Sequence, residues 1–323
     1  MSVSEYIPIS IQEFITGVVA PTDLYVRLGP DKFICVTKKG QKTQYNQLAT
    51  YKEKSVDYLW VHYEQYPLLK HNNVAIAGIV IGKDKFSPPQ KARFVSQAAH
   101  SVFNELEHMG ISMSSFNSAK QVTEVTCSMV EAHNDLLTLI ESFKACSDEM
   151  VRLSLATSAI SVVIAQEIGW ENKQTLEKLA LGGLLADIGL KSLPPEILKK
   201  PRAQMTYDEA QAYESHPFKG MEMAHSLGVV PDDVVSIIYE HHENAIGQGY
   251  PRRIRDVKIH PLARVVALAQ TFVGLVLPNV NAPIAKSPRD AIMYIEHTMG
   301  QPFNKEAFKA LKRLMGDEEI KIA

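Results

Sequence analysis

Two short segments in the second half of this sequence carry residue types that can do chemistry. Residues 241–251 read His-His-Glu-Asn-Ala-Ile-Gly-Gln-Gly-Tyr-Pro, and residues 184–190 read Leu-Leu-Ala-Asp-Ile-Gly-Leu. Imidazole nitrogens suit Zn²⁺, Fe²⁺, Mn²⁺ and Ni²⁺ alike. Because neighbouring helical residues point about a third of a turn apart, His241 and His242 can both reach one metal only where a helix end lies against the site. The alternative for such a pair is a capping or surface role.

The turn that follows the two histidines is rich in glycine. Gly247 and Gly249 permit backbone turns that a side chain would block, and Pro251 stiffens the chain after them. The alternative is that these glycines only make a well-formed connection. For Tyr250 we favour a functional role.

The two segments together resemble the HD-GYP family. The resemblance rests on HHE followed by GxGYP at 241–251, on Ala186-Asp187 and on Ser215-His216-Pro217, and it covers residues 115–323. Members of this family bind two or three metal ions in a helical bundle and hydrolyse the bacterial second messenger cyclic di-GMP. The resemblance therefore implies a helical protein of cyclic di-GMP signalling with a metal centre.

By this resemblance, one metal site is damaged and the other is intact. Three ligand positions of the family's first metal are occupied by Leu153, Ala186 and Gln270. The residues at the ligand positions of the second metal are Asp187, His216, His241 and His242. We therefore expect at most one divalent transition metal, which could be Fe, Mn, Zn or Ni. The alternative is that descent preserved the histidines after metal binding was lost.

Loss of one metal predicts weakened catalysis. Two metals normally hold a bridging hydroxide and share the charge that builds on phosphoryl oxygens, so one metal leaves half of that stabilisation missing. The lysine that follows the His-Asp pair in the family is Leu190 here, with Lys191 next to it. Glu149 matches a carboxylate of some three-metal members but cannot rebuild the first site alone.

We therefore expect a catalytically impaired HD-GYP protein in cyclic di-GMP signalling, acting as a sensor or a protein-interaction adaptor. The alternative is an active cyclic di-GMP phosphodiesterase with a mononuclear site. A third possibility is an interaction scaffold that binds neither metal nor nucleotide.

The glycine-rich loop is the expected contact surface. In the family it lies at the rim of the active site and takes part in ligand contact and in binding GGDEF-domain diguanylate cyclases. The corresponding residues here are Glu243, Gly247, Gly249, Tyr250, Pro251 and Arg252. The family aspartate before the loop is Ile246, and the arginine of a downstream segment is missing from 276–281. Arg252, Arg253, Arg255 and Arg264 could supply positive charge for a phosphate.

The elements that position these residues are mainly helices. Amphipathic patterns predict helices at 91–108, 115–144, 148–168 and 175–186, and start signals predict later helices at Thr206, Pro231 and Ser287. The expected fold is mainly α, an HD-domain bundle of seven or more helices. We place this domain at 87–323, with leading helices at 87–147 and the HD-GYP core at 148–323.

A small α+β domain, regulatory or for interaction, is expected at residues 1–86. A hairpin is predicted from 24–28 and 32–36, where β-branched and aromatic residues flank a turn triplet. Residues 58–62 and 74–81 could add strands or a packed connection, and helices could fit at 11–18 and 45–54.

Composition limits the possible partners. The chain has 323 residues, 46% of them hydrophobic, and a formal net charge of -2, so it has no basic face for nucleic acid or an anionic membrane. The three cysteines are widely spaced, which argues for a reducing cytoplasm and for small buried side chains. The sequence shows no secretory signal and no apolar run able to span a bilayer, so direct membrane insertion is not expected.

Overall fold

The computed structural model describes residues 5–316 except 12–13, 15–17, 44–49, 52–53, 55, 133–135, 145 and 147. Near its start lies an antiparallel sheet of order β1-β4-β2-β3, with β1 at Tyr6–Ser10, β2 at Leu24–Gly29, β3 at Lys32–Thr37 and β4 at Tyr58–His62. The predicted hairpin and the strand at 58–62 are confirmed. Alternate residues of β1 and β4 are buried, as expected of strands with one face on a core.

Helices make up most of the remaining described chain, which confirms the mainly α fold with seven or more helices. They are α1 (Tyr66–Ile81), α2 (Pro88–Met109), α3 (Met113–Glu131), α4 (Leu136–Phe143), α5 (Glu149–Ile168), α6 (Lys173–Leu185), α7 (Pro195–Leu198), α8 (Tyr207–Glu214), α9 (His216–Ser226), α10 (Asp232–Glu240), α11 (Pro261–Val276), α12 (Pro288–Met293) and α13 (Lys305–Leu314). Thr206 and Glu209 form the expected capping box, and the structure also shows that Asp148 caps α5.

The strand reading of residues 74–81 is wrong, because they form the second half of α1. This run of apolar residues has no periodicity of its own, and burial of Val74, Ala77 and Val80 against neighbouring helices decides the outcome. The helices suggested at 11–18 and 45–54 lie largely outside the described residues. The predicted helix 115–144 is described as α3 and α4, and the residues between them at 133–135 are not described.

Helix α1 contributes to two hydrophobic cores. Tyr66 and Leu69 pack with the sheet residues, whereas Val74 and Ala77 pack within the helical bundle. Tyr66 also donates a 2.7 Å hydrogen bond to the carbonyl of Ser101 on α2. The division into domains at residue 87 stays a prediction, and this helix lies on the N-terminal side of it while packing against both parts.

The centre of the bundle is α5, packed against α6, α11 and α13. It is long and apolar enough to cross a membrane, with a mean hydropathy of 1.4, but 67% of that stretch is buried inside the protein. Such burial is typical of the core helix of a soluble domain. Among the cysteines, Cys146 is buried as expected, Cys127 is half-buried, and Cys35 is exposed on the outer strand β3, contrary to the expectation.

Candidate metal centre

Three chain segments meet at the candidate metal centre. Asp187 follows the end of α6, His216 is the first residue of α9, and His241 and His242 follow the last residue of α10. The helix end that carries the adjacent histidines therefore lies against the site, which is the condition that the sequence set for both rings to reach one metal. The four side chains are brought together as the resemblance implied, and each offers one ligand atom within 4.8 Å of all the others.

Gly189 allows the Asp187 segment to approach α9. A Cβ at this position would lie 2.0 Å from the carbonyl oxygen of His216 and 2.7 Å from the amide nitrogen of Gly220. Real Cβ atoms do not come so close to backbone atoms, so no side chain can be accommodated without moving α9. The glycine therefore permits the close approach of the Asp187 segment to α9.

Three potential ligand atoms lie close together at the centre of the cluster. Oδ1 of Asp187 lies 3.2 Å from Nε2 of His216 and 3.5 Å from Nε2 of His241, and the two Nε2 atoms are 3.2 Å apart. Both of these histidines are buried, with exposed fractions of 0% and 1%. His242 adds a third ring, 4.2 Å from that of His241 and 5.0 Å from that of His216 between centroids.

Backbone carbonyls fix the tautomers of two rings. Nδ1 of His216 lies 2.7 Å from the carbonyl oxygen of Tyr213, and Nδ1 of His241 lies 2.8 Å from that of Ile238. A carbonyl only accepts, so both Nδ1 atoms must carry hydrogen, and in the neutral rings both Nε2 atoms present lone pairs. This tautomer is assigned from the hydrogen bonds, and it is the arrangement found in metal-binding histidines. The residues present therefore fit a metal cation.

The charges of the cluster agree with this reading. Burial alone would raise the pKa of Asp187, but hydrogen bonds and positive charge from the imidazoles of His216 and His241 in their protonated forms hold it well below its ordinary value, so the carboxylate is ionised. Burial lowers the pKa of His216 although Asp187 opposes the shift, and burial lowers that of His242 further. His216 and His242 are therefore neutral near pH 7, and their lone pairs are free to bind metal.

The lost ligand positions are occupied by residues outside the ligand cluster, and the one polar side chain among them, Gln270, keeps its Oε1 buried without a hydrogen-bond partner. Ala186 is buried, Leu153 packs against the bundle core, and Gln270 on α11 donates a 2.8 Å hydrogen bond from Nε2 to Oδ2 of Asp187. With the opposite amide orientation two acceptors would face each other, so this assignment is the favourable one. The second oxygen of Asp187 is thus engaged by a neutral donor, and the described residues provide ligands for one metal.

Changing Gln270 to Glu tests this role of the amide. The isosteric carboxylate would face Oδ2 of Asp187, and we expect the metal-free protein to lose about 1–3 kcal/mol of stability because a donor is replaced by a like charge. Thermal unfolding in chelator measures the loss, and added Mn²⁺ should recover part of it. Gln166→Glu on the exposed side of α5 is the matched control, expected to change little. An unchanged Tm of the Gln270 variant would contradict this role.

A buried carboxylate stabilises the glycine-rich loop. The buried carboxylate of Glu243 accepts hydrogen bonds from the backbone amides of Arg252 (2.6 Å) and Ile254 (3.1 Å). A Cβ at Gly249 would lie 2.3 Å from the carbonyl oxygen of His242, so this position needs glycine. The guanidinium of Arg252 pairs with Glu240. These residues hold the loop against the histidines, and the Tyr250–Pro251 peptide bond within it is cis.

Aromatic rings form the layer outside the histidines. Tyr250 stacks on His242 at 4.5 Å between centroids, and Tyr213 packs edge-on against His216 at 5.2 Å. Burial raises the pKa of both tyrosines, so both hydroxyls stay protonated. Tyr250 is half-buried against a candidate ligand, whereas Ile246, Gln248 and Arg252 of the loop are exposed.

Two residues at the site were missed by the sequence reasoning. They are Tyr213, which orients His216, and Arg202, whose guanidinium lies 5.0 Å from the ring centroid of Tyr213 and 5.7 Å from that of Tyr250. Tyr213 stands three residues before His216, a spacing that could have suggested contact across a helix turn. Arg202 lies in a short 3-10 turn, and its sequence gives no such signal.

Other residues discussed from the sequence lie outside the cluster. Glu149 accepts a 3.1 Å hydrogen bond from the amide of Val280, in the segment 276–281, and is not among the clustered ligands. Lys191 is paired with Glu107 on α2 at 2.5 Å. Both are engaged elsewhere in the described structure.

Some of the arginines suggested near the loop also have partners within the protein. Arg264 donates a 2.9 Å hydrogen bond to the carbonyl of Ile259 and lies 3.6 Å from Asp256. Arg253 and Arg255 are exposed on the loop.

Comparisons with known proteins agree with this architecture. A family model described as HD domain matches residues 121–306. The chain is 27% identical over 210 residues to a cyclic di-GMP phosphodiesterase of Pseudomonas aeruginosa, covering 64% of this chain and 49% of that protein. It is 27% identical over 157 residues to a cyclic di-GMP phosphodiesterase response regulator of Xanthomonas campestris, covering 48% of this chain and 41% of that protein.

The chain thus spans about half the length of these curated relatives, or less. A solved structure, an HDG"Y"P protein from Bdellovibrio bacteriovorus, superposes with a TM-score of 0.69 over 96% of this chain and 99% of the other, at 16% identity. At that identity the likeness supports the fold, including the N-terminal part, and nothing finer.

Proposed function

Because this chain belongs to the HD-GYP family of HD-domain proteins, we propose that it is a catalytically impaired member that holds one divalent transition metal and acts in cyclic di-GMP signalling. The observation that carries the proposal is the contrast between the two oxygens of Asp187. Oδ1 faces the lone pairs of His216 and His241, whereas Oδ2 accepts from Gln270. One side of the carboxylate suits a cation, and the other side is closed by an amide.

Impairment follows from this contrast. A bound metal would polarise a phosphoryl oxygen and lower the pKa of a coordinated water. The chain's own residues supply no second cluster of carboxylates and imidazoles beside it within the described structure. Ala186 and Leu153 have no side-chain atom that could bind a second cation or stabilise the charge of a phosphoryl transition state.

The favoured role is a sensor that binds cyclic di-GMP at the metal centre and the Tyr250 loop. An adaptor role is supported by the loop itself, since Ile246 is 44% exposed on its outer side. A GGDEF-domain protein remains the proposed partner for that surface. The alternative is an active phosphodiesterase that uses a mononuclear site built from Asp187, His216, His241 and His242.

An assay over several metals separates these functions. We expect purified protein, loaded in turn with Fe²⁺, Mn²⁺, Zn²⁺ and Ni²⁺, to bind cyclic di-GMP in calorimetry and to show no hydrolysis above buffer by chromatography. Binding should be lost in His241→Ala and kept in His225→Ala, which removes an exposed histidine of α9. Turnover in the loaded protein that disappears with His241→Ala would establish the active alternative. Metal loading without nucleotide binding would refute the sensor role.

A further inference from the structure

We propose that Arg202 forms a phosphate-binding subsite beside the metal centre, so that one phosphoryl group of a nucleotide is held between its guanidinium and the bound cation. The proposal rests on the proposed function for the identity of the nucleotide. Its independent support is structural: the guanidinium of Arg202 is held in place by several contacts, and its Nη1 has no hydrogen-bond partner.

Arg202 is held in place from three sides. Its Nη2 donates to the carboxylate of Glu214, its backbone amide donates a 2.7 Å hydrogen bond to Asn281, and its guanidinium lies over the rings of Tyr213 and Tyr250. A fixed guanidinium loses little entropy when it binds an anion. Arg202 therefore differs from a solvated surface arginine.

One arm of this guanidinium has no protein partner. Nη1 of Arg202 is buried and makes no hydrogen bond, although a desolvated charged donor without a partner is costly. The side chain as a whole is 34% exposed, so it borders solvent from which a ligand can approach. An anion at Nη1 would accept a hydrogen bond from this donor. It would also balance the positive charge on this side of the guanidinium, because Glu214 is bound to the opposite nitrogen, Nη2.

The buried polar atoms of the site that lack hydrogen-bond partners form two groups, one at the metal cluster and one outside it. Oδ1 of Asp187, Oε1 of Gln270 and Nε2 of His242 are buried and make no hydrogen bond, and Asp187 and His242 belong to the candidate metal cluster. Nη1 of Arg202 is a buried donor in the layer outside them, and one pair of tyrosine rings contacts both layers. The metal cluster can hold a cation, and the guanidinium outside it can donate to an anion. Together they provide what a phosphoryl group bound to the metal requires.

The other arginines near the loop are less suited to this role. Arg252 pairs with Glu240 and lies over Tyr239, and Arg264 is bound to the carbonyl of Ile259. None of the arginines expected from the sequence contacts the tyrosine layer in the described structure. The subsite is therefore assigned to Arg202 alone.

Calorimetry on the metal-loaded full chain, with cyclic di-GMP and with inorganic phosphate as probes, tests the subsite. We expect Arg202→Gln to weaken cyclic di-GMP binding about tenfold or more, since tenfold corresponds to about 1.4 kcal/mol, and to abolish phosphate binding. Arg202→Lys keeps the charge without the fork and should weaken binding about threefold to tenfold. Metal content and Tm should stay unchanged in both variants.

Two controls separate anion binding from structure. Arg313→Gln removes an arginine that is paired with Glu167 on α5 in the same way, 2.6 Å apart, and should bind both probes like the native protein. Glu214→Gln removes the partner of Nη2 but keeps the guanidinium, and should retain phosphate binding. If Arg202→Gln does not fold, the Lys variant decides.

Unchanged affinity for both probes in the folded Arg202 variants would overturn the subsite. So would equal weakening in Arg313→Gln. Native protein that binds phosphate through Arg202 but not cyclic di-GMP would support the subsite and refute the proposed sensor function, so the two failures are distinguishable.

Discussion

Replacing His241 with alanine is expected to remove the metal from this protein. The native chain should be isolated with about one divalent transition metal, because Asp187, His216, His241 and His242 form one cluster of ligand atoms. Loss of His241 leaves Oδ1 of Asp187 and Nε2 of His216 without their third neighbour. Metal analysis of the purified variant should give a content near zero.

The same variant should also lose the stabilisation that the metal provides. At about 100 times its Kd a ligand stabilises the folded state by about 2.7 kcal/mol, so chelation should lower the Tm of the native protein by roughly 5 °C. The Tm of His241→Ala should be insensitive to chelator. The comparison is made within each variant, with and without chelator, so that the cavity left by the ring does not affect it.

His225→Ala is the matched control, since His225 lies on α9 with His216 and is exposed. It should keep both the metal and the response to chelator. Two fully occupied metals in the native chain, or none with a chelator-independent Tm, would contradict the single metal centre.

Replacing Gly189 with alanine is expected to destabilise the protein strongly. The added methyl group would meet the backbone of His216 and Gly220 on α9, and backbone cannot move aside as a side chain can. We expect a loss of at least about 3 kcal/mol, which would lower the Tm by roughly 6 °C or more. Thermal unfolding by circular dichroism in chelator measures this loss without the contribution of the metal.

A second glycine provides the control for this change. Gly274 lies within α11, and a Cβ there would meet nothing within 4 Å. Gly274→Ala should therefore leave stability unchanged or raise it by up to about 1 kcal/mol through helix propensity. Equal stability of the two variants would show that the approach of the Asp187 segment to α9 is looser than described.

The ligand cluster could be expected from the sequence because it rests on motif residues whose types alone indicate metal chemistry. His241-His242-Glu243 and Ser215-His216-Pro217 each place imidazoles at helix ends. The roles of Gln270 and Arg202 could not be expected in the same way. Each depends on where α11 or a short turn lies in space, and a glutamine or an arginine has no spacing that points to a partner 83 or 12 residues away.

For the fold too, local signals could be predicted from the sequence, whereas outcomes that depend on packing could not. Helix α8 was predictable because its capping residues act locally. Residues 74–81 were not, since an unbroken apolar run suits a buried helix as well as a buried strand, and only packing decides between them. Pro67, the second residue of α1, lies in the first helical turn, where proline is tolerated.

Helix α1 has its first half in the hydrophobic core of the sheet and its second half in that of the bundle. Neither core can open without exposing apolar residues of a helix on which the other depends, and the buried pair of Lys70 and Glu105, 2.6 Å apart, lies between the two halves. The sheet and the bundle therefore share a helix, and we expect them to unfold together. A fragment cut at residue 87 would deprive the bundle of one of its own structural members.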